Sequence, residues 1–222
     1  MRPQVVTTAV MSNDANGISV SQAVASATTM TITGALATGG VATLANAQKV
    51  GITCGGNDTG ITYTVVGADA DGTEISEAVT GVNGAVATST AYFKTVTSIT
   101  TSGAVATVAE VGTLASDGLV TPSIPVNWRQ TPFNMSVSGD LTAGTGGTFG
   151  GQYTVDSPQD ETYTQSLSVD ANWRDVVGLD PDVVSTDDDS NIAFPVRVVR
   201  GKFSTGSTDM VVKFTFIQGQ NG

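Results

Sequence analysis

Apolar and polar residues alternate over short stretches of this chain, and such alternation is typical of half-buried β-strands. In GITYTVVG, residues 60–67, the alternation places Tyr63 and Val65 on the same face. In the last such stretch, MVVKFTFIQG, it does the same for Phe214 and Phe216. Similar segments recur from residue 28 onward, separated by glycines and prolines. The pattern predicts an all-β protein built from short strands and tight turns.

The spacing of these segments predicts three parts. We expect an extended N-terminal arm over residues 1–27, a small hairpin-rich β domain over residues 28–118, and an antiparallel β-sandwich over residues 119–222. The sandwich is expected to be immunoglobulin-like or jelly-roll-like. DGLVTPSIPVNW (117–128) marks the boundary, because its prolines cannot donate to a strand ladder and so indicate a linker or an edge strand. The single helix candidate is ATLANAQKVG (42–51), which is long enough for about one turn.

The first twenty residues admit two interpretations. Their aliphatic side chains are too sparse for an amphipathic helix, and the run Asn13-Asp14-Ala15-Asn16-Gly17 has turn chemistry. One interpretation is a frayed terminus, since free chain ends are often poorly ordered. The other is an assembly arm that becomes ordered on a neighbouring subunit. The sequence leaves both open.

Composition narrows the function. The chain has 222 residues, a formal net charge of -11 and only 9 basic residues, which disfavours nucleic acid as a partner because phosphate binding needs clustered cations. Histidine is absent, so the commonest general base and His-based metal sites are excluded. The single Cys54 cannot form an intramolecular disulfide, and we expect a buried, inert thiol. Neither a signal peptide nor a membrane span is expected from the hydropathy pattern.

The densest acidic motif is Asp69-Ala70-Asp71-Gly72. Aligned as a calcium loop with Gly72 at its sixth position, it has Gly67 at the first position and Ala78 at the twelfth, where ligands are required. Asp71-Gly72 also lies between two alternating segments, which is a strong hairpin signal. We therefore predict a two-residue hairpin turn and expect Asp69 to be dispensable for stability.

Three other motifs are weaker. Asp187-Asp188-Asp189 could supply oxygens to Ca²⁺, but a solvated polar loop over residues 180–191 is the favoured interpretation. GTGGTFGG (144–151) lacks the Lys and the following helix of a phosphate loop and is predicted to be a flexible hairpin loop. Trp128 and Trp173 are interpreted as core or interface anchors. A carboxylate pair for glycoside hydrolysis stays open, but no particular pair stands out.

The order of several segments resembles that of tailed-bacteriophage virion proteins. The first part of the resemblance is the hairpin GITYTVVGADADGTEISEAVTG followed by YFKTVTSIT. The second part is a set of shorter matches in a fixed order: TPFNMSV (131–137), QYTVDSPQD (152–160), ANW (171–173), FPVRVVRG (194–201) and FTFIQG (214–219). The resemblance covers roughly residues 45–219. The acidic segment 180–191 departs from it.

The resemblance implies a non-enzymatic virion component that is made in the host cytoplasm. Capsid decoration or cementing is the first expectation, and a collar, adaptor or tail component is the alternative. A receptor- or glycan-binding fibre domain is a further alternative, mildly disfavoured because only 6% of residues are aromatic. The expected partners are the major capsid protein or other virion structural proteins, together with further copies of the chain. No catalytic residue, cofactor-binding residue, metal ligand or cofactor is predicted, and neither nucleic acid nor membrane is an expected partner.

Overall fold

The computed structural model describes residues 4–8, 13–114, 118–159, 162–206 and 210–219. Strands dominate these residues, and their one helix is α1 (Leu167–Asp170). The all-β prediction is therefore confirmed. The chain divides into two compact units. We call them the N-terminal unit (Ser12–Asp117) and the C-terminal unit (Met1–Met11 together with Gly118–Gly222).

The strands are short and follow one another closely along the chain. In chain order they are β1 (Gln4–Thr8), β2 (Asp14–Gln22), β3 (Ala37–Thr38), β4 (Val41–Gln48), β5 (Gly51–Cys54), β6 (Thr62–Ala68), β7 (Glu74–Thr80), β8 (Val86–Thr88), β9 (Phe93–Thr101), β10 (Ala109–Thr113), β11 (Leu119–Val120), β12 (Ile124–Pro125), β13 (Met135–Ala143), β14 (Thr148–Thr154), β15 (Arg174–Asp175), β16 (Asp188–Ile192), β17 (Val198–Thr205) and β18 (Val211–Gln218).

The N-terminal unit contains two antiparallel sheets. In one, β4, β9, β6 and β7 lie side by side in this order, with β3 beside β4; in the other, the order is β2, β10, β5 and β8. The alternation read from the sequence decides which side chains are buried. Tyr63 and Val65 on β6 are fully buried, whereas Thr62 is half-buried. Ile52 and Cys54 on β5 are buried by the same period of two.

The C-terminal unit is an antiparallel sandwich. Its first sheet has the order β1, β18, β13 and β16; its second has β15, β14, β17 and β11, with β12 also on β17. Three phenylalanines join the sheets: Phe149 and Phe203 on the second meet Phe214 on the first, with ring centroids 6.0–6.2 Å apart. Gly201 on β17 makes room for this contact, because a Cβ there would lie 2.4 Å from Cδ2 of Phe214. Aromatic packing of this kind contributes beyond the buried area alone.

The predicted helical turn over residues 42–51 is wrong, because most of that segment forms β4. Ala42 and Leu44 are buried and alternate with exposed neighbours. Ala42 lies opposite Val96 on β9. The helix preference of Ala and Leu is a few tenths of a kcal/mol per residue, about the size that strand pairing and burial outweigh.

The structure also differs from the arm expected over residues 1–27. β1 pairs with β18 from Gln4 opposite Phe216 to Thr8 opposite Val212. β2 pairs with β10 and fully buries Ile18. Both strands satisfy backbone donors and acceptors that would otherwise lie unpaired at the edges of β18 and β10. The rest of the first twelve residues, 1–3 and 9–12, lies outside the described residues.

The proline-containing boundary segment 117–128 forms strands rather than a free linker. β11 and β12 both pair with β17, and Pro125 lies opposite Val198. The division between the units falls between Asp117 and Gly118. Residues 115–117 are outside the described part of the chain.

The glycine-rich segment 144–151 is a sheet-to-sheet crossover and not a hairpin loop. It leaves β13 in the first sheet of the C-terminal unit, and from Thr148 onward it belongs to β14 in the second. Gly150 is needed on β14, because a Cβ there would lie 2.1 Å from the carbonyl oxygen of Leu179. These glycines therefore allow close backbone approach, as strand glycines often do.

Candidate functional site

The acidic motif between β6 and β7 is a turn. Gly72 N donates to Asp69 O at 3.2 Å, and Asp69 N donates to Thr73 O at 2.9 Å. Gly72 has φ of +82°, in the left-handed region that favours glycine. The arrangement is a three-residue hairpin loop, Ala70 to Gly72, that ends on a left-handed glycine. The predicted hairpin is confirmed, and the predicted two-residue length is wrong.

Asp69 holds this turn from the inside. Its side chain is fully buried, and Oδ1 accepts hydrogen bonds from the backbone N of Asp71 and of Thr73, both at 2.9 Å. Oδ2 has no partner among the described residues. Within the described part of the chain, no cluster of three potential metal ligands includes Asp69. The carboxylate therefore acts on the backbone of its own loop, and the expectation that Asp69 is dispensable has no support.

A second polar group lies in the core of the N-terminal unit. The Tyr63 hydroxyl donates to Asp58 Oδ2 at 2.7 Å, and the backbone N of Ala106 donates to Asp58 Oδ1 at 2.7 Å. Burial, and then the bond to Asp58, raises the pKa of Tyr63 well above its ordinary value. Burial also raises the pKa of Cys54. The predicted burial of Cys54 is confirmed, and a thiol with a raised pKa is a poor nucleophile.

The three successive aspartates do not form a cation site with one another. Asp188 and Asp189 begin β16, where they lie opposite Gly139 and Ser138 of β13, so the predicted loop over residues 180–191 is in part an edge strand. Asp187 Oδ1 accepts from the backbone N of Leu141 at 2.6 Å. Alternate side chains of a strand point to opposite faces, which separates successive carboxylates. Charged residues on an edge strand also hinder pairing with another strand.

The structure brings a different set of carboxylates together. Oxygens of Asp175, Asp180 and Asp182 lie within 4.8 Å of one another. Each carboxylate already has a protein donor or cation: Gln152 Nε2 donates to Asp175 at 2.8 Å, Asp182 N donates to Asp180 at 2.9 Å, and Lys202 Nζ lies 3.7 Å from Asp182. These neighbours account for the cluster without a bound cation. We therefore do not assign a metal site there.

Trp173 belongs to a polar cluster at the edge of the second sheet. The Arg200 guanidinium carbon lies 3.8 Å from the centre of the Trp173 ring. Arg200 is buried, and its Nε donates to Gln152 Oε1 at 3.0 Å while Nη1 donates to Ser168 Oγ at 3.2 Å. The Trp173 indole N–H donates to Leu167 O at 3.1 Å. The half-buried Trp173 thus connects α1 to Arg200 on the sheet, but it is not among the buried core side chains, so the interpretation as a core or interface anchor stays a prediction.

Trp128 differs, because it faces solvent beside two cations. It is 38% exposed, and the guanidinium carbons of Arg129 and Arg197 lie 4.8 and 4.6 Å from the centre of its ring. The ion pairs of the described residues involve Lys202 and Lys213, so neither guanidinium is paired with a described carboxylate. We call Trp128, Arg129 and Arg197 the Trp128 patch. Cation–π contacts of this kind stabilise by about 0.5–1 kcal/mol at exposed sites.

The backbone under the Trp128 patch is held rigidly. The buried side chain of Gln218 on β18 accepts from Asn127 N at 3.0 Å and donates to Asn127 O at 2.7 Å. Val126 N donates to Arg197 O at 2.9 Å, which ties the segment to the chain leading into β17. Gln130 Nε2 donates to Gly219 O. Hydrogen bonds therefore hold the backbone that carries the patch, which reduces the backbone entropy lost when a partner binds.

Sequence reasoning missed the carboxylate cluster and the Trp128 patch for the same reason. Arg197 follows Trp128 by 69 positions, and Asp175 is separated from Asp182 by a turn, so neither grouping has a local spacing signal. Only the neighbouring dipeptide Trp128-Arg129 was visible in the sequence. Pairing of β12 with β17 is what brings Arg197 to the tryptophan.

Comparison with known proteins returns no matching family model, curated protein or solved structure. In the described part of the chain, no helix has the length and apolar character needed to cross a bilayer.

Proposed function

We propose that the chain is a non-enzymatic structural protein of a tailed-phage virion and that it decorates or cements the capsid. The proposal starts from the resemblance of roughly residues 45–219 to such proteins. Its expected partners are the major capsid protein or other virion proteins. Nucleic acid is an unfavourable partner for a chain with net charge -11, since backbone phosphates would be repelled.

One structural observation supports this proposal more than any other. The polar clusters of the described residues shape turns, cores and strand edges: Asp69 closes a turn, Asp58 bonds Tyr63, and Asp187 bonds a strand. By contrast, the Trp128 patch has an exposed aromatic ring beside the exposed Arg129 and the half-buried Arg197, and neither arginine is in a described ion pair. Tryptophan and arginine are enriched among residues that dominate protein–protein interfaces. The surface is therefore suited to docking on another protein.

The proposal is tested by locating the protein in particles. Virions produced with and without the gene would be compared by quantitative mass spectrometry and by difference density in electron cryomicroscopy. We expect a stoichiometric component whose density lies on the outer capsid shell and disappears in the deletion. Density at the neck or tail would instead support the alternative of a collar, adaptor or tail component. Absence from purified particles would contradict a virion role altogether.

A receptor- or glycan-binding role is the further alternative, and the exposed Trp128 ring is the feature that would favour it. Sugars bind aromatic rings by stacking on a face, but the Arg129 and Arg197 guanidiniums already contact this ring. We therefore expect no glycan binding. Glycan-array binding that is lost in Trp128→Ala would favour this alternative over decoration.

A further inference from the structure

We propose that the Trp128 patch docks on the acidic end of the C-terminal unit of a second copy, so that copies associate head to tail. We define the acidic end as Asp187, Asp188 and Asp189 together with the exposed Val177. This inference goes beyond the proposed function, because it names the self-association surfaces and holds wherever in the virion the protein lies.

The first surface has the chemistry of a docking site for carboxylates. Arg129 and Arg197 each present a guanidinium fork, which binds carboxylates bidentately, and neither is paired with a described carboxylate. The Trp128 ring, whose centre lies 4.8 and 4.6 Å from the two guanidinium carbons, adds apolar area. Gln218 holds the backbone at Asn127, so little backbone entropy is lost on binding.

The second surface is complementary in charge and in polarity. Asp187, Asp188 and Asp189 are all exposed, and none of them is in a described ion pair. Val177 is 89% exposed and lies beside this segment, since Ser190 Oγ donates to Val177 O. An exposed aliphatic side chain near an edge strand that carries exposed carboxylates matches an exposed indole next to two guanidiniums.

The two surfaces lie at different positions along the first sheet of the C-terminal unit. Gln218, which holds the Trp128 segment, is opposite Met135 at the start of β13. Asp187 bonds the backbone N of Leu141, six residues further along β13. Asp189 and Asp188 lie opposite Ser138 and Gly139, three and four residues from Met135, so the three carboxylates lie about 10–20 Å along β13 from the Gln218 end at about 3.3 Å per residue. No described ion pair joins Arg129 or Arg197 to these carboxylates within the chain, so both sets of charges can meet those of a second copy.

Such a contact is heterologous, because different surfaces of the two copies meet. Heterologous contacts give rings when the rotation closes and open chains when it does not. Copies with a net charge of -11 repel one another in general, so association depends on placing the few cations against carboxylates. Salt should weaken the contact, because exposed charge pairs are screened.

The test compares charge-reversed full-length variants by sedimentation velocity and mass photometry. Wild type is expected to associate in about 20 mM salt and to dissociate in about 500 mM salt. Arg129→Glu/Arg197→Glu and Asp188→Lys/Asp189→Lys should each raise the dissociation constant about tenfold or more. Lys49→Glu/Arg174→Glu, which changes the net charge by the same amount as the first pair, is the matched control and should associate as wild type does.

Mixing the two interface variants gives the decisive measurement. The intact patch of the aspartate variant can meet the intact acidic end of the arginine variant, so the mixture should form hetero-oligomers at concentrations where each variant alone is monomeric. Circular dichroism and melting temperature establish that both are folded. A wild type that is monomeric at about 100 μM in low salt overturns the inference, as does a mixture that stays monomeric. If the wild type is monomeric but its Trp128 patch binds an Asp-rich peptide, the patch is a docking site for a different protein, and self-association is ruled out. The particle-location experiment is independent of all these outcomes.

Discussion

At the residue scale, short polar side chains decide local geometry by bonding to their own backbone. Asp69 is fully buried, yet its Oδ1 accepts two amide hydrogens of the loop it begins. Gly72 supplies the left-handed conformation that ends the loop, and a Cβ there would meet nothing within 4 Å. The two residues therefore contribute in different ways: Asp69 through hydrogen bonds, and Gly72 through backbone conformation alone.

Both contributions can be measured by unfolding in denaturant. Asp69→Ala should lower the free energy of unfolding by about 1–3 kcal/mol, because two amides lose their acceptor. Gly72→Val should lower it by about 1 kcal/mol or more through strain at positive φ. Asp69→Asn keeps a side-chain oxygen acceptor and is the matched control, with a smaller loss expected. A melting temperature of wild type that rises strongly with Ca²⁺ would speak against this account and for a metal loop.

Tyr63 couples stability to alkaline pH. Its pKa in the folded state lies above the unfolded value of 10.0, because burial and the Asp58 carboxylate disfavour the phenolate. The stability that the protonated tyrosine contributes is fully present below the unfolded pKa of 10.0. It is lost as the pH rises from there toward the folded pKa, because over this range only the unfolded chain releases the proton. The unfolding free energy should fall by about 1.4 kcal/mol per pH unit above pH 10 from this group.

The measurement is urea unfolding between pH 8 and 11 for wild type and two variants. Tyr63→Phe should be less stable at pH 8, because Asp58 loses a donor, but should lack this part of the alkaline slope. Cys54→Ala should keep the tyrosine component and lose only the contribution of the thiol, whose pKa is also raised. An identical alkaline slope in wild type and Tyr63→Phe would show that Tyr63 is not the group that titrates.

At the element scale, the two strands of the expected arm make unequal contributions. β1 is an edge strand on β18, whereas β2 carries Ile18 and Ser19 into the interior of the N-terminal unit. Removal of a buried isoleucine contact costs about 2–5 kcal/mol even for a single side-chain truncation. Loss of an edge strand mainly exposes the backbone groups of its neighbour.

Two truncations separate these contributions. Deleting residues 1–8 should leave the β-sheet circular dichroism largely intact while increasing aggregation, because β18 becomes an open edge. Deleting residues 1–20 should in addition lower the melting temperature sharply and reduce the β signal, contrary to the behaviour of a passive arm. Equal melting temperatures for the two truncated proteins would show that β2 contributes little. Reduced incorporation of the shorter truncation into particles would further indicate that β1 serves assembly.

At the scale of the whole molecule, charge and chain connectivity limit what the protein can do. The chain begins in the C-terminal unit with β1, forms the N-terminal unit, and returns at Gly118 to complete the C-terminal unit. A single boundary placed along the sequence cannot describe a unit that is made of two separated segments of the chain. With 9 basic against 20 acidic residues, cations are few, and the Trp128 patch places two of them beside one exposed aromatic ring. We therefore infer association from this combination and not from an acidic cluster alone.

Local sequence patterns were enough to predict the all-β class, the buried faces of β6 and β18, the hairpin at Gly72 and the burial of Cys54. These features follow from local rules: a period of two along a strand, and a turn that needs positive φ. Tertiary structure alone decided that residues 42–48 form β4, that Asp188 and Asp189 begin an edge strand, and that Arg197 meets Trp128. Each of these depends on which strands pair, and pairing partners far apart in the chain are selected by the burial and hydrogen bonding of the whole unit.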